Sequence, residues 1–296
     1  MSIEYVARRD LDTSLWDQAV SAPANGFIYA RSSYLDLLAD NWDALVIDNY
    51  KMVMPLPFRI KWGIRYLYQP AFIQQLGVIG INSNDETERC IAKAKEYFRY
   101  AAINLNFDNK IMATQACSNF ILDLTKTYSE LTGSYNYYLR KTTRETKTSE
   151  LLYKPSVAFE TSIDLYRRSY GNRFPHVKER SYKGILQFAE HNPSMVICRE
   201  AWYRNELVSS LLLLKDIRRL YLLISVNTEK GQTMEANRFL MDQLIREFSS
   251  SGMILDFEGS DLPGVAAFYT GFGAVNQPYY SIHWNNLPWP LNKLKK

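Results

Sequence analysis

Between Arg218 and Ala274 the chain changes hydrophobic period in a fixed order. Arg218 to Ser225 reads as a strand, and the strand runs out at Val226. A polar loop follows, and then Leu240, Leu244 and Phe248 fall on one face of an amphipathic helix that Gly252 ends. Met253 to Phe257 is the next strand. A helical turn closes the stretch with Ala266-Ala267-Phe268-Tyr269-Thr270-Gly271-Phe272-Gly273-Ala274. A strand that feeds a loop and a helix is a ligand-binding unit, because the N–H groups at the helix N-terminus face an anion. The rest of the chain carries no conventional catalytic motif, so an activity has to pass through these residues.

The remaining pattern is of the same mixed α/β class. Helices are predicted at Thr13 to Ser21 and from Ser32 to Asn41, and a hairpin at Ala44 to Asp48 and Met52 to Leu56. Ile91, Ala94, Phe98, Ala101 and Leu105 follow the 3-4-3-4 spacing of a buried helix face, capped at Asn84 or Asp85. Strands follow at Ile111 to Ala116 and Phe120 to Leu124. Thr125 to Pro155 is polar and reads as a mostly helical bridge. Helices at Ile163 to Ser169 and Tyr182 to His191 lead to strands at Met195 to Arg199 and Leu207 to Lys215. Leu211 to Leu214 is a run of leucines suited to a strand covered on both faces. Tyr279 to Trp284 is a late strand. At 296 residues the chain exceeds one ordinary core. Each half shows a hairpin, a strand ending in Ile81-Asn82 or Val226-Asn227, a helix and another strand. Two similar domains, 1–145 and 146–296 with a cleft between them, are therefore expected.

Charge excludes little by itself. The 35 basic and 31 acidic side chains leave +4, too small a surplus to indicate nucleic acid, and no DNA partner is expected. The basic run Arg140 to Lys147 reads as a solvated helix face. Three scattered cysteines and three scattered histidines fit neither a disulfide framework nor a zinc site, so no metal is expected. The N-terminus lacks the pattern of a secretory leader, and no apolar run approaches eighteen residues. A soluble, cytoplasmic protein without a membrane span is the expectation.

Three groups of side chains suit chemistry. Strand alternation would put Asp256 and Glu258 on one side of their strand, just before Gly259-Ser260 and Tyr269. There they could deprotonate an attacking amine, or equally cap the next helix or pair with a cation. Gln69, Gln74 and Gln75 sit in an aromatic stretch and could bind a peptide or amide; alternatively they satisfy loop backbone. Tyr269 is either a proton donor on a helical turn or a ring packed beneath it.

The stretch from Val226 to Ala274 resembles the GNAT acyltransferases. Val226 falls on the family's strand-ending valine and Phe239-Leu240 on its leucine pair. Gly231 stands at the arginine position, and Met234 and Ala236 at the two final glycine positions. Tyr269 falls on the tyrosine that protonates the departing thiolate in many of those enzymes, and Gly273 on its glycine, with Ala274 in place of Phe. With two such halves in one chain, the pattern is similar to the Fem-like tandem-GNAT branch. The resemblance implies an acyl or aminoacyl transferase acting on an amine acceptor such as a cell-wall peptide. Its donor would be aminoacyl-tRNA or acyl-coenzyme A. It further implies Tyr269, Asp256 and Glu258 as catalytic residues. Val226, Asn227, Thr228, Gly231, Thr233 and Ala236 would hold the donor, and Gln69, Gln74, Gln75 and Ser260 the substrate. A coenzyme A-dependent N-acetyltransferase of a small amine and a non-catalytic binding module are the alternatives. No long heptad-patterned arm of the kind some Fem enzymes carry is present in the sequence.

Overall fold

The structure is a computed structural model and describes residues 1–81, 83–143, 150–173, 177–259 and 261–294. The described chain forms two compact units, Met1–Cys117 with Pro278–Lys296, and Ser118–Gln277. The boundary expected between residues 145 and 146 lies outside the described residues.

The first unit is built on a seven-stranded sheet of β1 (Ile3–Ala7), β2 (Asn41–Ile47), β3 (Met52–Lys61), β4 (Ile64–Tyr68), β5 (Tyr100–Leu105), β6 (Gln115–Cys117) and, from the far end of the chain, β14 (Tyr279–Asn285). The order is β1-β2-β3-β4-β5-β14-β6, antiparallel except for β4 beside β5. Asp12 caps the helix Thr13–Ser21 by accepting from the Ser14 and Leu15 amides. The helix Asn84–Tyr97 starts with a Ser83–Glu86 capping box, one residue before the expected cap, and buries Cys90, Ile91 and Ala94. The expected helix running on to Leu105 is not formed. The chain leaves helical geometry at Phe98, and Ala101, Ile103 and Leu105 enter the core from β5. The helical spacing in the sequence spans this break because both elements bury residues against one core.

The β4–β5 pairing covers only Leu67↔Ala101 and Tyr68↔Ala102. Beyond it the gap is filled by the chain itself. The Leu76 amide donates to Asn104 O, Asn106 N donates to Leu76 O, and Ile79 bridges Val53 on β3. Buried Asn109 fixes this insert by accepting from the Val78 amide at 2.6 Å.

The second unit repeats the plan with β7 (Phe120–Asp123), β8 (Leu151–Ser156), β9 (Val196–Tyr203), β10 (Glu206–Lys215), β11 (Arg219–Asn227), β12 (Ile254–Asp256) and β13 (Val275–Asn276), in the order β13-β7-β12-β11-β10-β9-β8. Leu211 to Leu214 on β10 are fully buried, as their run implies. The helix Ala236–Phe248 inserts Leu240, Met241, Leu244 and Ile245 into the core. Each such burial contributes about 1.5–3 kcal/mol. The expected helical bridge breaks at β8, where Lys154-Pro155 lies within an edge strand; an edge tolerates proline because only one side of the strand needs partners.

Candidate active site

In the second unit the parallel strands diverge and the gap stays open. β11 and β12 pair over Arg219↔Ile254, Leu220↔Leu255 and Tyr221↔Asp256 only. β11 then continues to Asn227 beside β10, whereas Glu258 and Gly259, at φ 56° and 53°, turn the other strand's chain away. Gly259 is required twice over: its φ is left-handed, and a Cβ there would lie 2.1 Å from Ser118 O. Between the splayed strands is a pocket of about 490 Å³, within the range of small-molecule sites. Its floor includes Leu222, Leu223 and Ser225 of β11, and its walls include Glu258, Phe268 and Tyr269. The β10–β11 register shifts between Leu212 and Leu213, so Leu223 is an extra residue on β11 at the pocket.

Tyr269 sits on the helix Pro263–Gly271, started by a proline at its first turn. Its ring packs 4.7 Å from Phe257 and 6.1 Å from Phe120, centroid to centroid. Its hydroxyl makes no hydrogen bond among the described residues. Burial, followed by the charges of Glu258 and Asp256 and by Tyr166, pushes the phenol well above its ordinary value. The group is therefore a neutral donor throughout the physiological range. Tyr166 also lines the pocket, and burial pushes its phenol up to about 12.

Asp256 and Glu258 part company. β12 ends at Asp256, and the positive φ at Glu258 breaks the alternation that would have placed both on one face. Asp256 is 1 % exposed and accepts from Arg219 Nη1 at 2.5 Å and from the Glu258 amide at 2.9 Å. Arg219 is itself buried and reaches Gln277 Oε1 at 3.2 Å. Asp256 thus holds the turn that presents Glu258, and Glu258 is the carboxylate that lines the pocket.

The segment from Asn227 to Ala236 is helical rather than an open loop. Thr228 caps the short helix Glu229–Thr233, accepting from the Gly231 amide at 3.0 Å. The amides of Thr228, Gln232 and Met234 donate to Val208 O, Thr228 O and Lys230 O. Val226 and Ala236 are buried in the core, and Thr233 Oγ1 donates to Glu229 O. Gly231 is a packing residue here, because a Cβ would lie 2.0 Å from Val208 O. The amides of Thr228, Gly231, Gln232 and Met234 are thus engaged within the protein, and Met234 stands at the middle glycine position, where a pyrophosphate would need a close backbone approach. Gly231→Ala should cost about 1–3 kcal/mol through this overlap, measured by denaturant unfolding; an unchanged midpoint would contradict the packing. Asn227 Oδ1 is buried without a hydrogen-bond partner among the described residues.

In the first unit, Gln69 donates to Ile73 O at 2.7 Å and accepts from the Asn104 amide at 2.9 Å. Gln75 donates to Gln74 Oε1 at 2.8 Å, and its own Oε1 is buried without a partner among the described residues. Gln69 and Gln74 therefore brace the insert that fills that unit's gap. Ser260 lies outside the described residues. Sequence reasoning missed Tyr166, Tyr170, Arg173, Ser225 and Asn237, all of which line the pocket. The signal for two of them was the Tyr166–Tyr170 pair at helical spacing on Phe159–Tyr170, whose rings meet edge to face at 5.4 Å.

Among the described residues, no group of three or more histidine, cysteine or carboxylate side chains could hold a metal ion, and no helix is long and apolar enough to cross a membrane.

Two mixed sheets, each with one parallel pair that splays, define a tandem GNAT-like fold of the Fem-like kind. FemX is similar over 100% of both chains, with a TM-score of 0.72 and 12% sequence identity. A conserved protein of unknown function from Bacteroides thetaiotaomicron is similar over 92% of this chain and 97% of that one, with a TM-score of 0.58 and 12% identity. A tandem GNAT protein from the clavulanic acid biosynthesis pathway is similar over 97% of this chain and 99% of that one, with a TM-score of 0.52 and 10% identity. No protein-family model matches the chain, and no curated protein matches its sequence.

Proposed function

We propose that the chain is a Fem-like acyl or aminoacyl transferase that moves an acyl group from an oxygen ester to an amine, such as that of a cell-wall peptide. The observation that carries this reading is the presence of Glu258 and the Tyr269 phenol, with no hydrogen bond of its own among the described residues, in one open pocket. The amine attacks the carbonyl carbon, and Glu258 takes the proton that the nitrogen sheds. The carbonyl oxygen is assigned to the backbone of β11 at Leu223, the extra residue of that strand at the pocket. The ester C–O bond breaks as Tyr269 donates its proton to the departing oxygen. The proton on Glu258 then restores the phenol, so ester and amine give amide and alcohol. Asp256 is assigned a positioning role through the turn at Glu258.

The preference for an ester rests on proton affinities. A thiol ordinarily titrates near 8.5 and a phenol near 10. A phenol pushed higher still is a poor donor to a thiolate but remains matched to the more basic alkoxide. The engaged amides of Thr228, Gly231, Gln232 and Met234 point the same way, and aminoacyl-tRNA is a donor of this class.

Glu258→Gln should lower kcat/KM at neutral pH by about a hundredfold, the lower end of what a positioned acid–base group contributes. The deficit should narrow as pH rises and hydroxide takes over proton removal. A flat pH profile with wild-type rates would remove Glu258 from this role.

A further inference from the structure

The helix Ala236–Phe248 carries Arg238, Asp242 and Arg246 at four-residue intervals on one face, and that face lines a second pocket, of about 610 Å³. Arg140, from the helix Tyr137–Thr142, lines it too. An Arg–Asp–Arg row of this kind can neutralise itself through ion pairs. Here the acid is withdrawn. Asp242 is 3 % exposed and accepts from the Tyr128 hydroxyl at 2.9 and 3.0 Å and from the Tyr135 hydroxyl at 3.0 Å. Tyr128 stands between the charges, its hydroxyl donating to Asp242 and its ring facing the Arg246 guanidinium. The acid's needs are thus met by phenols, and the guanidinium is left without an ion pair among the described residues.

The arginines are braced as well as unneutralised. The Arg246 guanidinium lies 4.4 Å from the Tyr128 ring centroid, and that of Arg238 4.8 Å from Tyr138. A guanidinium stacked on a ring keeps its N–H edges free for acceptors in its own plane. Arg238 pairs with Glu235, whereas Arg140, like Arg246, has no carboxylate partner among the described residues. The pocket therefore presents two cationic groups from two helices that make no ion pair among the described residues, and its one lining carboxylate, Asp242, is buried and hydrogen-bonded to phenols. Convergent guanidinium forks suit a tetrahedral oxyanion with several acceptor oxygens.

We propose that this pocket, walled by Arg140, Arg238 and Arg246, binds a phosphate-bearing ligand. The proposal does not depend on the transfer reaction, because its residues other than Arg238 stand apart from those lining the splayed-strand pocket. Arg238 touches Phe268 of that pocket and is left unchanged in the test.

Isothermal titration calorimetry of the full chain with inorganic phosphate, against chloride at matched ionic strength, reads the site directly. The wild-type chain should bind one phosphate. Arg140→Gln with Arg246→Gln should weaken binding by about tenfold or more, since each removes a charge-assisted donor. Both side chains are exposed, so circular dichroism should report an unchanged fold. Arg9→Gln, at an exposed arginine of the first unit, should bind phosphate as the wild type does. Adenosine 5′-monophosphate forms the second arm. Tighter binding than phosphate, lost in the double variant, supports an organic phosphate; weaker binding supports the free ion. Equal phosphate affinity in the wild type and the double variant, or no heat from either, overturns the assignment.

Discussion

Tyr269→Phe should lower kcat for acyl transfer by about 10²- to 10⁴-fold, the range for a proton donor acting in the transition state. KM and unfolding free energy should stay near wild type. The substitution removes one oxygen and keeps the ring, whose contacts with Phe257 and Phe120 hold the helix Pro263–Gly271 on the sheet. That oxygen makes no hydrogen bond among the described residues, so its loss strands no buried partner. The size of the defect should depend on the leaving group. A donor with a more basic leaving oxygen needs the proton more and should suffer more; a thioester should suffer least. Wild-type rates in Tyr269→Phe with an ester donor would reduce Tyr269 to a packing residue.

Arg219→Leu should destabilise the second unit by about 3–5 kcal/mol, because it leaves the Asp256 carboxylate buried and unpaired. That is a large share of a typical domain's stability. Both partners are almost wholly buried and 2.5 Å apart. Replacing both by leucine should recover most of the loss, since a buried pair contributes little over an apolar one of similar volume. The expected order in denaturant unfolding is wild type, then the double variant, then Arg219→Leu. A single variant within about 1 kcal/mol of wild type, as an exposed pair would be, would contradict the role given to Asp256. The contrast with Glu258→Gln is informative: one carboxylate holds the turn, and the other faces the pocket.

The frame around the pocket was legible in the sequence where it depends on local pattern. The apolar strand that runs out at Val226, the helix face Leu240–Leu244–Phe248 and the helical turn that carries Tyr269 each follow from side-chain period and short-range signals. What escaped depends on pairing between distant segments. The partner of Asp256 is Arg219, 37 residues earlier on a neighbouring strand, and no spacing rule connects them. The departure of Glu258 from the strand follows from Gly259 fitting against Ser118, which only the fold brings near. The turn from Asn227 to Ala236 looked like an open loop because glycine there suggests close approach to a ligand. The close approach is instead to the Val208 carbonyl. In the first unit, the glutamine-rich stretch Gln69 to Gln75 has the composition of a binding loop. It leads into an insert that fills the gap between strands, and the Gln69 amide satisfies backbone there. The return of β14 to the first sheet also has no local signature, because a strand pattern such as Tyr279–Asn285 does not name its two neighbours.

The central claim is that the pocket between β11 and β12 transfers an acyl group from an oxygen ester to an amine through Glu258 and Tyr269. Mass spectrometry of single-turnover reactions tests it, with aminoacyl-tRNA as donor and a cell-wall peptide fragment bearing a free amine as acceptor. Wild type, Tyr269→Phe and Glu258→Gln are run together, with acetyl-coenzyme A as a parallel donor. The account predicts an amide product from the ester in the wild type, strongly reduced in both variants, and little product from the thioester. Equal product in all three proteins, or none in the wild type from either donor, would contradict it.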